Sequence, residues 1–153
     1  MKTKVKGPAA FSKDEGEDII DETLKYFKPN MFFRNYEVQG PADRILLYLT
    51  FYTHQCLMRI RRCKNKTDAD KTLYLVALEQ FDCPGDRNFI LGGFLGKPDN
   101  NKEKELWRSY IKQCRQELGL RLTPLVFPDE KAPPSKFWMC FVKRKFLGKA
   151  FEN

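Results

Sequence analysis

Between Arg44 and Arg59 the chain carries no formal charge, and Ile45, Leu46, Leu47, Tyr48, Leu49, Phe51 and Tyr52 all fall inside that run. On a helix these side chains cover nearly every face, whereas an amphipathic surface helix shows one apolar stripe. The stretch is long for a buried strand. A membrane span needs about 18 or more apolar residues, and this run is shorter and holds Thr50, Thr53, His54 and Gln55. The remaining solution is a helix wrapped by other helices. Pro41 suits a first helical position and Asp43 a first turn. The pattern therefore predicts a central helix over about 41–64.

The other elements follow from periodicity and punctuation. Residues 1–16 are polar, contain Gly7-Pro8 and lack a period, which reads as an extended N-terminal arm. Ile20, Leu24 and Phe27 share one face of a helix from Glu17 to Lys28, with acids in its first turn and Pro29 as its stop. Asn30-Met31-Phe32-Phe33 is an apolar elbow. Thr67-Asp68-Ala69-Asp70 resembles a capping box and opens a helix to about Phe81. Residues 82–100, rich in Gly, Pro and Asn, form a long loop pinned by Phe89-Ile90-Leu91. Asn100 or Asn101 caps the next helix, whose stripe is Leu106, Trp107, Tyr110, Ile111, Cys114 and Leu118. Gly119 suits the end of that helix. Strand signals are few, so the fold class is all-α. The 153 residues fit one domain, with 17–153 as a single compact, multi-helical unit behind the arm.

The C-terminal stretch raises a second packing problem. Pro133-Pro134 is a hard stop, Ser135 a plausible N-cap, and Phe137 to Val142 are all apolar before Lys143, Arg144 and Lys145 close the predicted helix. A helix apolar all round is covered on more than one side, either at the centre of the core or by another chain. Cations flanking such a helix suit its own negative dipole end, or the rim of an interface, where charge speeds encounter and sets salt dependence. Lys136, Phe137, Trp138, Lys143, Arg144 and Lys145 are accordingly the candidate partner-interface residues.

The net charge of +8 favours an acidic partner: nucleic acid, a membrane surface or an acidic protein. It is concentrated at Arg59, Arg61, Arg62, Lys64 and Lys66 and at Lys143, Arg144, Lys145 and Lys149. The plain alternative is two helix C-termini. Catalytic chemistry finds no footing. There is no Walker loop or GxGxxG. His54 and Cys56 lie two apart and do not face each other on a helix. The five cysteines, Cys56, Cys63, Cys83, Cys114 and Cys140, show no CxxC and no zinc-ligand set. They read as buried free thiols of a reducing compartment. Trp107 and Trp138 read as core. No catalytic, cofactor-binding or metal residues are expected.

Several stretches, in order along the chain, resemble one family. They are Lys6-Gly7-Pro8-Ala9, Asp18-Ile19-Ile20-Asp21-Glu22, Tyr26-Phe27-Lys28, Phe32-Phe33-Arg34-Asn35-Tyr36-Glu37 and Ala42-Asp43-Arg44. Further on come Gln113-Cys114-Arg115-Gln116-Glu117-Leu118-Gly119-Leu120-Arg121-Leu122, Pro134-Ser135-Lys136-Phe137-Trp138 and Cys140-Phe141-Val142-Lys143-Arg144. The family is actin-related protein 2/3 complex subunit 3, the 21-kilodalton subunit. The resemblance implies a helical fold with one helix surrounded by the others, helix continuing past Gly119, and a non-enzymatic role. It implies a place beside actin-related protein 3 in a seven-subunit complex that nucleates a new actin filament on the side of a mother filament. Cytoplasm and cytoskeleton, at cortical actin and cell projections, would be the location, with no nucleic acid bound and no membrane insertion. The rival reading is a free-standing basic helical nucleic-acid-binding module. Departures from the family pattern are Met1 standing five residues ahead of the Lys-Gly-Pro-Ala segment, the Cys83 to Phe89 loop, the Thr123-Pro124 interruption and the Gly148 to Phe151 tail.

Overall fold

The computed structural model describes residues 1–152. Its helices are α1 (Ile19–Asn30), α2 (Pro41–Ile60), α3 (Lys66–Leu78), α4 (Asn101–Val126) and α5 (Lys136–Met139). Among the described residues the only β pairing is an isolated bridge between Phe146 and Lys149. The fold is all-α, and no helix is long and apolar enough to cross a membrane.

α2 is the axis. Leu47, Leu49, Phe51, Tyr52, Cys56, Leu57 and Ile60 are fully buried around its circumference. α1, α3 and α4 all pack against it. The remaining side is closed by the C-terminal segment, where Phe51 packs on Phe146 and Phe151 with ring centroids 5.2 and 5.7 Å apart. Each such large apolar side chain contributes roughly 1.5–3 kcal/mol on burial. Asp43 caps the start of α2 by accepting from the backbone N–H of Gln39 and Gly40, both at 3.0 Å. The helix stops at Ile60, four residues short of the expected 64. Cys63 N–H turns back to the Ile60 carbonyl, and Asn65 begins α3 as its N-cap, accepting from Asp68 N–H at 2.8 Å.

That cap corrects a second expectation. Thr67 does not cap α3; its hydroxyl donates to Glu130, because the helix has already begun at Lys66. α3 ends at Leu78, before Phe81. α1 starts at Ile19 and passes through Pro29, since Met31 N–H still reaches the Phe27 carbonyl at 3.1 Å. The acids of its first turn are bound groups: Asp18 is the N-cap, accepting from Ile20 and Asp21, in a full capping box with Asp21.

α4 runs through both Gly119 and Pro124 to Val126. Pro124 sits in the last turn, where one missing donor is tolerable, and Phe127 N–H still bonds Thr123 O at 2.8 Å. Gly119 allows α3 to approach: a Cβ there would stand 3.3 Å from Leu73 Cβ. Trp107 rather than Leu106 faces inward on this helix, its ring edge-on to Tyr48 and Phe89, and Leu106 is exposed. The loop insert behaves as expected, with Phe89 and Leu91 buried.

The N-terminal arm has no regular structure, yet polar side chains of α4 hold it. Gln113 accepts from Ala9 N–H and donates to Val5 O and Ala9 O, at 2.8 to 3.0 Å. Thr3 is buried, and its hydroxyl donates to Glu117 at 2.6 Å. Arg121 donates to Lys2 O and also to Asp18, Asp21 and Glu117. Gly7 lies so close to Gln113 that a Cβ would overlap that side chain.

Candidate partner interface

The expected C-terminal helix is one turn long. Pro133 and Pro134 give an extended approach, Ser135 occupies the N-cap without a side-chain bond, and α5 ends at Met139. Cys140 to Lys145 then follow as successive turns, with Val142 N–H on Met139 O and Arg144 N–H on Phe141 O. The basic triplet thus lies on a turn, not at a helix C-terminus. The turns carry both Phe141 and Phe146 into the core.

The apolar run divides by depth. Trp138 and Phe141 are buried on α1: the Trp138 ring stacks on Phe27 at 5.8 Å, and Phe141 meets Phe27 edge-on at 5.9 Å. Phe137, one residue away, is 80% exposed. One part of the run is therefore core and the other is surface. Phe32 also lies at this end, edge-on to Phe141 at 6.0 Å while itself largely exposed, and Phe33 is exposed beside it. The sequence sign of this was the Phe32-Phe33 pair in the apolar elbow that follows α1.

Cations surround these rings. Arg144 lies 4.4 Å over the Phe32 ring, and Lys28 lies 4.4 Å over Trp138. Cation–π contact at exposed sites is worth about 0.5–1 kcal/mol. Lys136, Lys143 and Lys145 are exposed. The structure therefore brings Lys136, Phe137, Arg144 and Phe32 to one end of the molecule, and sets Trp138 behind them as support. His54 anchors the turn from below, its Nε2 lying 3.0 Å from the Val142 carbonyl. Burial holds its imidazole below the usual histidine range, against the raising effect of that bond and of Glu152.

Within the other basic run only Arg59 is ion-paired inside the chain, among the described residues. Arg59 forms paired bonds to Glu79 and to Glu152, at 2.6 to 3.0 Å; Arg61, Arg62 and Lys64 are exposed. All five cysteines are free, and Cys140, expected to be buried, is exposed because the short α5 turns it outward. No group of metal-binding side chains is present among the described residues.

The family model describing "P21-Arc: ARP2/3 complex ARPC3 (21 kDa) subunit" matches residues 1–151. A Dictyostelium discoideum protein named actin-related protein 2/3 complex subunit 3 is 47% identical over 150 residues, covering 98% of this chain and 86% of that protein. The Schizosaccharomyces pombe protein of the same name is 44% identical over 150 residues, covering 98% of this chain and 86% of its own length. The Arabidopsis thaliana protein of that name is 37% identical over 147 residues, covering 96% and 84%. None of these findings supports the nucleic-acid reading. A full-length match to the family model, with relatives in amoeba, yeast and plant, shows that the chain belongs to the P21-Arc family, the ARPC3 subunit of the ARP2/3 complex.

Proposed function

We propose that the chain is a non-catalytic structural subunit that docks on actin-related protein 3 through the Phe137 end. In this reading arm 1–16 and helical domain 17–153 act as one rigid body. The chain sits with the other subunits of a seven-subunit assembly that starts a branch from the side of a mother actin filament. It works in the cytoplasmic cytoskeleton, at cortical actin and cell projections. The carrying observation is the exposed Phe137 next to the buried Trp138–Phe27 stack, on which Lys28 lies, with Arg144 over the neighbouring Phe32. Exposed aromatic residues of this kind are typical anchors of protein interfaces. Rim cations would steer toward an acidic partner surface and lose influence as salt rises.

The test is recovery of actin-related proteins with a tagged chain. Phe137→Asp should cut recovery by at least about tenfold, the size of a strong anchor, with the helical circular-dichroism spectrum unchanged. Reversing Lys143, Arg144 and Lys145 to Glu should weaken recovery and branching at low salt, with the difference shrinking at high salt. Full assembly and branching by both variants at low salt would place the interface elsewhere. Recovery of nucleic acid that salt removes, in place of actin-related proteins, would favour the binding-module reading.

A further inference from the structure

Arg115, on α4, is 2% exposed. Both faces of its guanidinium are covered, with Cζ 4.4 Å from the Tyr52 ring centroid and 4.5 Å from that of Phe81. Rings of this kind favour the cation from above and below but give its N–H edges no acceptor. Nη2 donates only over a long 3.4 Å to Gln55 Oε1. Nε and Nη1 have no acceptor, and the neighbouring Tyr52 hydroxyl also lacks a partner. Glu117 is engaged with Arg121 and Thr3, and Glu152 with Arg59 and Gln55; Asp82, at the rim of the cavity that Arg115 lines, is exposed and makes no ion pair with it. A guanidinium is charged at every physiological pH, and a buried charge calls for a counter-charge.

Arg115 lines a cavity of about 150 Å³. The exposed Gln80, Asp82 and Asn88 stand at its rim, and the buried Tyr48, Gln55 and Phe89 line its depth. We propose that this cavity binds a carboxylate, taken edge-on by the Arg115 guanidinium as the Gln55 amide gives way. A flat carboxylate matches the guanidinium fork, whose buried edge is reached as the Gln55 side chain moves aside. The size suits an acid of a few heavy atoms or the end of a Glu side chain, and Phe81, Phe89 and Phe151 offer apolar walls to its methylenes. Asp82 at the rim disfavours multiply charged anions such as phosphate. The inference goes beyond assembly into a complex and does not depend on it.

The full chain, labelled with ¹⁵N in arginine, tests this through its side-chain Nε–Hε signals, with Arg115 assigned by Arg115→Lys. Propionate should shift the Arg115 signal saturably, at least about tenfold more tightly than phosphate, while chloride at matched ionic strength leaves it in place. A Gly-Glu-Gly peptide blocked at both ends separates the sources. A response to the peptide alone would make the carboxylate a side chain of a partner protein, and a response to propionate alone would make it a free small acid. Linear, unsaturated shifts with both, or an equal shift with chloride, would overturn the proposal. Should Arg115→Lys fail to fold, contacts of the Arg115 side chain with the Tyr52 and Phe81 rings assign the signal in the wild-type chain.

Discussion

Two residues tie distant parts of the chain together, and each carries a measurable consequence. Arg121 joins arm, α1 and α4 in one cluster: Asp18, Asp21 and Glu117 lie 2.7 to 2.8 Å from it. Burial pushes the Asp18 carboxyl up, but the bonds from Arg121 and from the Asp21 and Lys2 backbone outweigh this and leave it at about 2. Arg121→Met would take the ion-pair partner from Asp18 and Glu117 and leave Asp21 with Lys2 alone, and should destabilise by about 2–4 kcal/mol in urea unfolding. In the wild type, Asp18 contributes stability that is complete above its unfolded pKa and fades as pH falls from about 4 to about 2; the variant should lose that part of the acid profile. His54 acts at a higher pH. Its folded pKa is depressed, so the unfolded chain binds more protons and stability falls as pH drops below the ordinary histidine value of about 6.5. The charges facing it are Glu152, which opposes the depression, and Lys145, which adds to it. His54→Gln keeps a donor for Val142 O, and should flatten the stability profile between about pH 7 and pH 5. An unchanged slope would assign it to other groups.

At the scale of elements, one glycine sets the spacing of two helices. Gly119 lies mid-helix, where glycine is intrinsically about 1 kcal/mol worse than alanine, and its return is close contact with Leu73 of α3. Leu73 Cβ is fixed to its backbone, so a larger residue at 119 has to part the helices. Gly119→Val should therefore cost about 1–3 kcal/mol, while a β-branched substitution at an exposed α4 site such as Lys112 should cost only a few tenths. Thermal unfolding of the two variants decides this. The same helix illustrates how far local rules reach. Pro124 and Gly119 each look like stops, yet tertiary packing of Leu118, Leu122, Val126 and Phe127, all fully buried, carries the backbone through. Ser135 and the apolar run after it look like a long helix, yet α5 is one turn long and the turns after it carry Phe141 and Phe146 into the core.

For the whole molecule, the core covers three cysteines fully, leaves Cys63 half-buried and leaves Cys140 exposed. Cys56 and Cys114 are pushed by burial to about 12 and about 11, so they stay protonated and shielded; Cys140 is exposed on the turn after α5. Alkylation of the native chain should modify Cys140 first, with Cys56, Cys83 and Cys114 reacting only as the molecule opens. Mass spectrometry of timed aliquots reads the order. If the Phe137 end is an interface, Cys140 should be protected in the assembled complex and Cys56 no slower than before. Equal labelling of Cys140 in both states would place that turn away from any partner.

The charge-free run from Ile45 onward determined a central helix, because apolar side chains on every face must be covered all round; the scarcity of strand signals elsewhere made most of that cover helical, while one side is closed by the irregular segment of Phe146 and Phe151. The 3.6-residue period of Ile20, Leu24 and Phe27 likewise placed the inner face of α1. The ordered family segments made the assembly legible as well, since they are stretches of residues and need no coordinates. Tertiary structure decided which of Phe137 and Trp138 faces outward, because a run of apolar residues has no period to say where the core ends. It also decided that Gln113, Glu117 and Arg121 grip the arm and that Arg115 stands unanswered between two rings. Those side chains meet partners up to 119 residues away, a separation at which composition and spacing carry no signal; only the packing of α4 against α1, α2 and the arm brings them within hydrogen-bond reach.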